Sequence, residues 1–117
     1  MTVSNYQNLI VWRKAMDLAK EVYAIVKLLP KEELFALSDQ IRRAVVSIPS
    51  NIAEGCGRES KSQMMNFLRI AKGSAAELET QLLLCKEIGY IDEIKLKMPL
   101  ILLDEISRMI RALMQKG

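Results

Sequence analysis

Histidine is absent from this sequence of 117 residues. The commonest general base, and the commonest nitrogen ligand for a metal, are therefore missing. Only two cysteines occur, Cys56 and Cys85, and they do not form a Cys-x-x-Cys pair, so no zinc site is expected. They read as small buried residues of a reducing compartment, not as a disulfide. The five glycines form no phosphate-cradling motif, and Gly55-Cys56-Gly57 reads as a helix end. No apolar run is long enough to cross a bilayer. No basic-then-apolar leader opens the chain. The expectation is a cytoplasmic protein with no membrane association and no cofactor.

What is present is helical. Half the residues are hydrophobic and 26% are charged, the composition of a soluble helical domain. The length suits a single domain over residues 1–117. Lys and Arg number 17 against 14 Asp and Glu, a net charge of +3 that permits contact with nucleic acid without requiring it.

Residues Met1 to Asn8 are short and polar and read as a loosely held, flexible arm. From Leu9 the apolar positions Val11, Ala15, Leu18, Val22, Ile25 and Leu29 recur in steps of three and four, the seam of a packed helix. A second apolar line runs beside it through Trp12, Met16, Ala19, Tyr23 and Val26. Two stripes predict either a deep helix or one that faces another subunit. Pro30 stops this helix. A short turn follows at Pro30-Lys31-Glu32-Glu33, with Leu34, Phe35 and Leu37 expected to tuck it against the core. Ser38 is the expected N-cap of the second helix.

The second helix places Ile41, Ala44 or Val45, Ile48, Ile52 and Cys56 on its apolar side. A polar ribbon runs alongside through Gln40, Arg43, Ser47, Asn51, Glu54 and Arg58. Pro49 removes the partner of the Val45 carbonyl. Gly55 and Gly57 close the helix, one of them in the left-handed conformation. Ser60 and Gln63 match a capping box that opens a third helix reaching about Ile88. Gly73 to Ala76 is a patch of small residues, and Gly73 predicts close packing there. Gly89 marks the stop. Asp92 caps a fourth helix whose apolar line is Ile94, Met98, Leu102, Ile106, Met109 and Leu113, widened by Leu103 and Ile110. Pro99 either kinks this helix or starts it.

Four helices with short links predict an all-α, antiparallel up-down-up-down four-helix bundle. The candidate sites are two. The ribbon Gln40, Arg43, Ser47, Asn51 and Glu54, faced by Glu77 and Gln81 on the third helix, is expected to be an interhelical or intersubunit network that fixes register. Arg13, Lys20 and Lys27, each seven apart on one face, and Arg58, Lys61, Arg69 and Lys72 around the start of the third helix, are the candidate nucleic-acid contacts. Paired carboxylates such as Glu32 and Glu33 lack the Glu-x-x-His pattern of di-iron bundles. Cys56 lies near Arg58, which would lower its pKa, yet one arginine does not make a nucleophile. No enzymatic activity is expected.

Leu9-Ile10-Val11-Trp12 with Ala15, Gln40-Ile41-Arg42-Arg43-Ala44, Ser47 through Gly55, Arg58, Phe67-Leu68 with Ile70-Ala71, Gly73-Ser74 and Glu77-Leu78-Glu79-Thr80 together resemble the four-helix-bundle family of 23S ribosomal RNA intervening-sequence proteins. That family is similar to the accessory variability determinant of diversity-generating retroelements, a pentameric barrel that binds nucleic acid and works with a reverse transcriptase. The resemblance implies the bundle fold, a homo-oligomer with a pentamer favoured, and RNA or DNA as a partner. The alternative is an oligomeric scaffold with a protein partner and no nucleic-acid role.

Overall fold

The computed structural model describes residues 3–116. Four α-helices account for most of them: α1 (Ile10–Val26), α2 (Leu37–Cys56), α3 (Lys61–Ile88) and α4 (Glu93–Lys116). Short 3-10 helices cover Val3–Asn8 and Lys31–Glu33. Helix α1 packs on α2 and α4, and α3 packs on the same two, while α1 and α3 make no contact and occupy diagonal corners. Contacts run in opposite directions along neighbours. Ser47 meets Ser74 while Gly55 lies against Met64 and Phe67, so α2 and α3 are antiparallel. One cavity joins Lys20 to Lys95 and another joins Val11 to Met109, so α1 and α4 are antiparallel too.

The core is aliphatic, with Leu18, Ile41, Ile48, Ile52, Leu68, Leu78, Leu82, Leu96, Leu103, Ile106 and Ile110 fully buried. Burial of each such side chain contributes roughly 1.5–3 kcal/mol. The first seam of α1 is this core's wall: Val11, Ala15, Leu18, Val22 and Ile25 are all buried. Its second line is not deep. Met16 and Tyr23 remain 37% and 42% exposed, and of this line only Val26 is buried.

Helix ends show which local signals prevailed. Ser60 accepts a hydrogen bond from the Gln63 backbone N–H at 3.1 Å, and Asp92 accepts from the Lys95 backbone N–H at 3.0 Å, as their positions predict; the return bond of a capping box, from the Gln63 side chain, is not made among the described residues. Gly89 closes α3 at φ 93°, the left-handed conformation that costs glycine least. Ser38 does not cap α2. It lies inside the first turn and is buried, and the residue before the helix is Ala36. Glu33 supplies an acceptor instead, taking the Leu37 amide at 3.4 Å.

Neither Gly55 nor Gly57 is left-handed. Gly55 is required for a different reason: a Cβ there would lie 3.2 Å from Phe67 Cβ and 3.3 Å from the Met64 carbonyl oxygen. Close packing belongs to this glycine and not to Gly73, which is exposed and whose added Cβ would meet nothing within 4 Å.

Three further expectations are corrected. Leu34 and Phe35 do not tuck inward; Phe35 is 91% exposed. Pro99 does not start α4, which begins at Glu93 and continues through a buried Pro99. The buried face of α4 is Leu96, Pro99, Leu103, Ile106 and Ile110, while Ile94 and Met98 point outward. The apolar arc of α4 is wide, and the periodicity alone did not fix which part of it turns inward.

Where a loosely held arm was expected, the segment Val3–Asn8 packs on α1 and α2. The Tyr6 ring stands edge-on to Trp12, with centroids 5.2 Å apart. The part of that expectation concerning Met1 and Thr2 lies outside the described residues.

Candidate functional site

The polar ribbon of α2 divides into two parts. Its middle reaches α3: the Ser47 and Ser74 hydroxyls are 2.7 Å apart. The Asn51 side-chain amide donates to the Ser47 carbonyl at 2.8 Å and to the Ser47 hydroxyl oxygen at 2.9 Å. These groups are partly buried, so each satisfied bond avoids the cost of a stranded polar atom. Asn51 also takes up the carbonyl one turn back, beside the site where Pro49 interrupts the ladder. Ser74 entered the sequence reading only as a small residue. Its place on the same helix face as Phe67 and Ala71 was the signal that it points toward α2.

The ends of the ribbon stay outside this cluster. Arg43 pairs with Asp39 at 2.9 Å and Glu54 with Arg58 at 2.8 Å, both within α2 or its end and both exposed. Exposed pairs four apart contribute roughly 0.3–0.5 kcal/mol. Gln40 and Glu77 are exposed. Gln81 is buried, but its Oε1 has no hydrogen-bond partner among the described residues.

The basic candidates fall on two corners. Arg13, Lys20 and Lys27 are exposed along α1, and none is in an ion pair among the described residues. Lys61, Arg69 and Lys72 are exposed on α3, the diagonal helix. Arg58, at the end of α2, is committed to Glu54 and lies 4.8 Å from the centre of the Phe67 ring. One chain therefore does not unite the seven residues into one surface.

Burial raises the Cys56 thiol above its ordinary value, so Arg58, turned to Glu54 and Phe67, does not activate it. Burial also raises Cys85, with the Glu33 charge adding to the effect. Tyr90 is raised first by its hydrogen bond to Glu33, at 2.8 Å. Among the described residues no group of three or more His, Cys, Asp or Glu is gathered. No described helix is long and apolar enough to cross a membrane.

A cavity of about 410 Å³ opens between the end of α1 and the start of α2. Val26, Leu29 and Leu34 line it, with Lys27, Lys31 and Arg42 among its residues and no carboxylate. Arg42 donates to the Leu34 carbonyl at 3.2 Å, which holds one wall in place.

Fold and surface together define a small all-α bundle with a polar cluster between α2 and α3 and basic corners. The model of the 23S rRNA-intervening sequence protein family matches residues 7–112, and the chain belongs to that family. It is similar to a crystal structure of a protein of unknown function from the S23 ribosomal protein family of Bacteroides thetaiotaomicron. The two share 27% identity over 90% of this chain and 98% of that one, with a TM-score of 0.83. Comparison with curated proteins found no match.

Proposed function

We propose that this protein is a non-enzymatic, homo-oligomeric bundle that holds structured RNA or DNA by its phosphates. The observation that carries the reading is the α1 line. Arg13, Lys20 and Lys27 recur every seven residues, about 10 Å apart along the helix. All three are exposed, with no carboxylate paired to them among the described residues. A single bundle offers one such line, and several copies offer an array whose weak contacts add. The family name points to the same class of partner.

Assembly is supported by apolar groups left in water. Ile94, Met98 and Ile101, on the outer face of α4, are 84%, 52% and 46% exposed. A stripe of this kind is uncommon on a monomer. The same stripe would equally serve a protein partner, which is the scaffold reading. Filter binding of a hairpin RNA and of duplex DNA across a salt series separates the two. The nucleic-acid reading expects affinity that falls steeply with salt, and a shallower slope after Arg13, Lys20 and Lys27 are changed to Glu. No binding at low salt leaves the scaffold.

A further inference from the structure

We infer that the groove between α1 and α2 takes unpaired nucleotides of an RNA or DNA strand, a base stacking on the Tyr23 ring while its phosphate meets Lys27 and Arg42. The inference rests on the nucleic-acid reading above and names the part of the ligand that this face holds. It is argued on one copy of the chain and is independent of assembly.

Tyr23 stands where two cavities adjoin. The first, of about 410 Å³, has Lys27 and Arg42 in its lining, and the second, of about 470 Å³, has Arg42, Arg43 and Val46. Tyr23 and Arg42 belong to both, so the two form one trough along the helix pair. Each is within the roughly 300–1,000 Å³ of small-ligand sites. The other aromatic side chains are placed differently. Tyr6 and Trp12 stand edge to face, Arg58 lies over Phe67, and Tyr90 is tied to Glu33. Phe35 projects from a turn and lines neither cavity. Tyr23 is 42% exposed, and no second ring or cation is stacked on it among the described residues. A half-exposed ring in a trough is a platform for a flat apolar group.

The charges beside the ring select that group's substituent. Lys27 follows Tyr23 by one turn of α1, so their Cβ atoms are about 5–6 Å apart. That spacing is comparable with the reach from base to phosphate within one nucleotide. Arg42 faces them from α2. It spends one N–H on the Leu34 carbonyl at 3.2 Å, which orients the guanidinium and leaves further donors. Neither Lys27 nor Arg42 is in an ion pair among the described residues. The opposing charges are few. Asp39 is held by Arg43, and Glu33 by Tyr90 and the Leu37 amide. Glu32 is exposed beside Lys31 and offsets it, so Lys31 has no part here. Glu21 and Lys20 line the cavity on the α4 side and have none either.

Only an unpaired nucleotide satisfies both features at once. In a duplex the base faces are covered by their neighbours, and phosphates alone remain for the protein. The α1 line of cations holds either form, and Tyr23 adds affinity for the unpaired one.

The test is fluorescence anisotropy of labelled probes with equal phosphate count, a single strand and a blunt duplex, across a salt series, with folding of each variant checked by circular dichroism. Wild type is expected to prefer the single strand. Tyr23→Ala is expected to lower single-strand affinity about tenfold or more, with the duplex and the salt slope unmoved. Tyr23→Phe, which keeps the ring, should retain the preference. Lys27→Gln should make the slope shallower by about one for both probes. Equal wild-type binding of the two probes, a comparison that needs no variant, overturns the inference while the nucleic-acid reading stands. So does a Tyr23→Ala loss shared equally by the duplex. Displacement of the strand by adenosine monophosphate at comparable concentration marks a free-nucleotide site and overturns the strand. No binding of either probe at low salt overturns both readings.

Discussion

The hydroxyls of Ser47 and Ser74 lie 2.7 Å apart between α2 and α3, and the Asn51 amide closes on the same Ser47 oxygen at 2.9 Å. Ser47 is the shared member. Ser74→Ala is expected to lower unfolding free energy by about 1 kcal/mol, and Asn51→Ala by more, because it removes two hydrogen bonds to Ser47. In a double-mutant cycle, Ser47→Ala and Ser74→Ala should be strongly non-additive. Urea denaturation measures all of these, and additive losses would show that the hydroxyls do not interact.

The glycines of α2 and α3 predict opposite outcomes. Gly55→Ala presses a methyl group toward a backbone carbonyl and the Phe67 Cβ, and a loss of about 1–3 kcal/mol is expected. Gly73→Ala meets open space and should gain up to about 1 kcal/mol from helix propensity. Thermal melts of the two variants should move to opposite sides of wild type.

Gln81→Met tests the unpaired amide. It removes a buried oxygen that has no partner among the described residues and nearly preserves shape. The expected change is neutral or a gain of about 1 kcal/mol. A clear loss would mean that Gln81 has a partner in the assembled protein.

Raised thiol and phenol groups set an alkaline limit on stability. Cys56, Cys85 and Tyr90 are all shifted up in the folded chain, so it holds their protons more tightly than the unfolded chain does. Their contribution is complete below the unfolded values, roughly 8.5 for thiols and 10 for phenols, and is lost as pH climbs through the folded ones. Stability should be flat near neutrality and fall on the alkaline side. Tyr90→Phe should soften the tyrosine part of that fall. Thiol reagents should modify Cys56 and Cys85 only as fast as the protein opens.

Much of this was legible in residue patterns. Ser60, Gln63, Asp92 and Gly89 act through the backbone within one turn, so their positions sufficed to place helix boundaries. Val11, Ala15, Leu18 and Val22 recur in steps of three and four, so this seam was legible, while the apolar line beside it left the depth of the helix open. Helix α4 differs: Ile94, Met98 and Ile101 are as apolar as Leu96, Leu103 and Ile110, and only the packing of α1 and α3 against it decides which set is inside. Ser38 looked like a cap because its type favours one, but Glu33 reached the helix start from the preceding turn. The proximity of Gly55 to Met64 and Phe67 depends on how two helices cross, which no local pattern records.

Trp12 is the only tryptophan in the chain, and it stands beside Tyr6 of the opening 3-10 helix. Its emission is therefore a local gauge of whether that opening segment is seated. Circular dichroism follows the four helices as a whole. A fluorescence transition that precedes the dichroism transition would report the first residues peeling away from an intact bundle, and coincident transitions would show that the opening segment and the bundle melt as one.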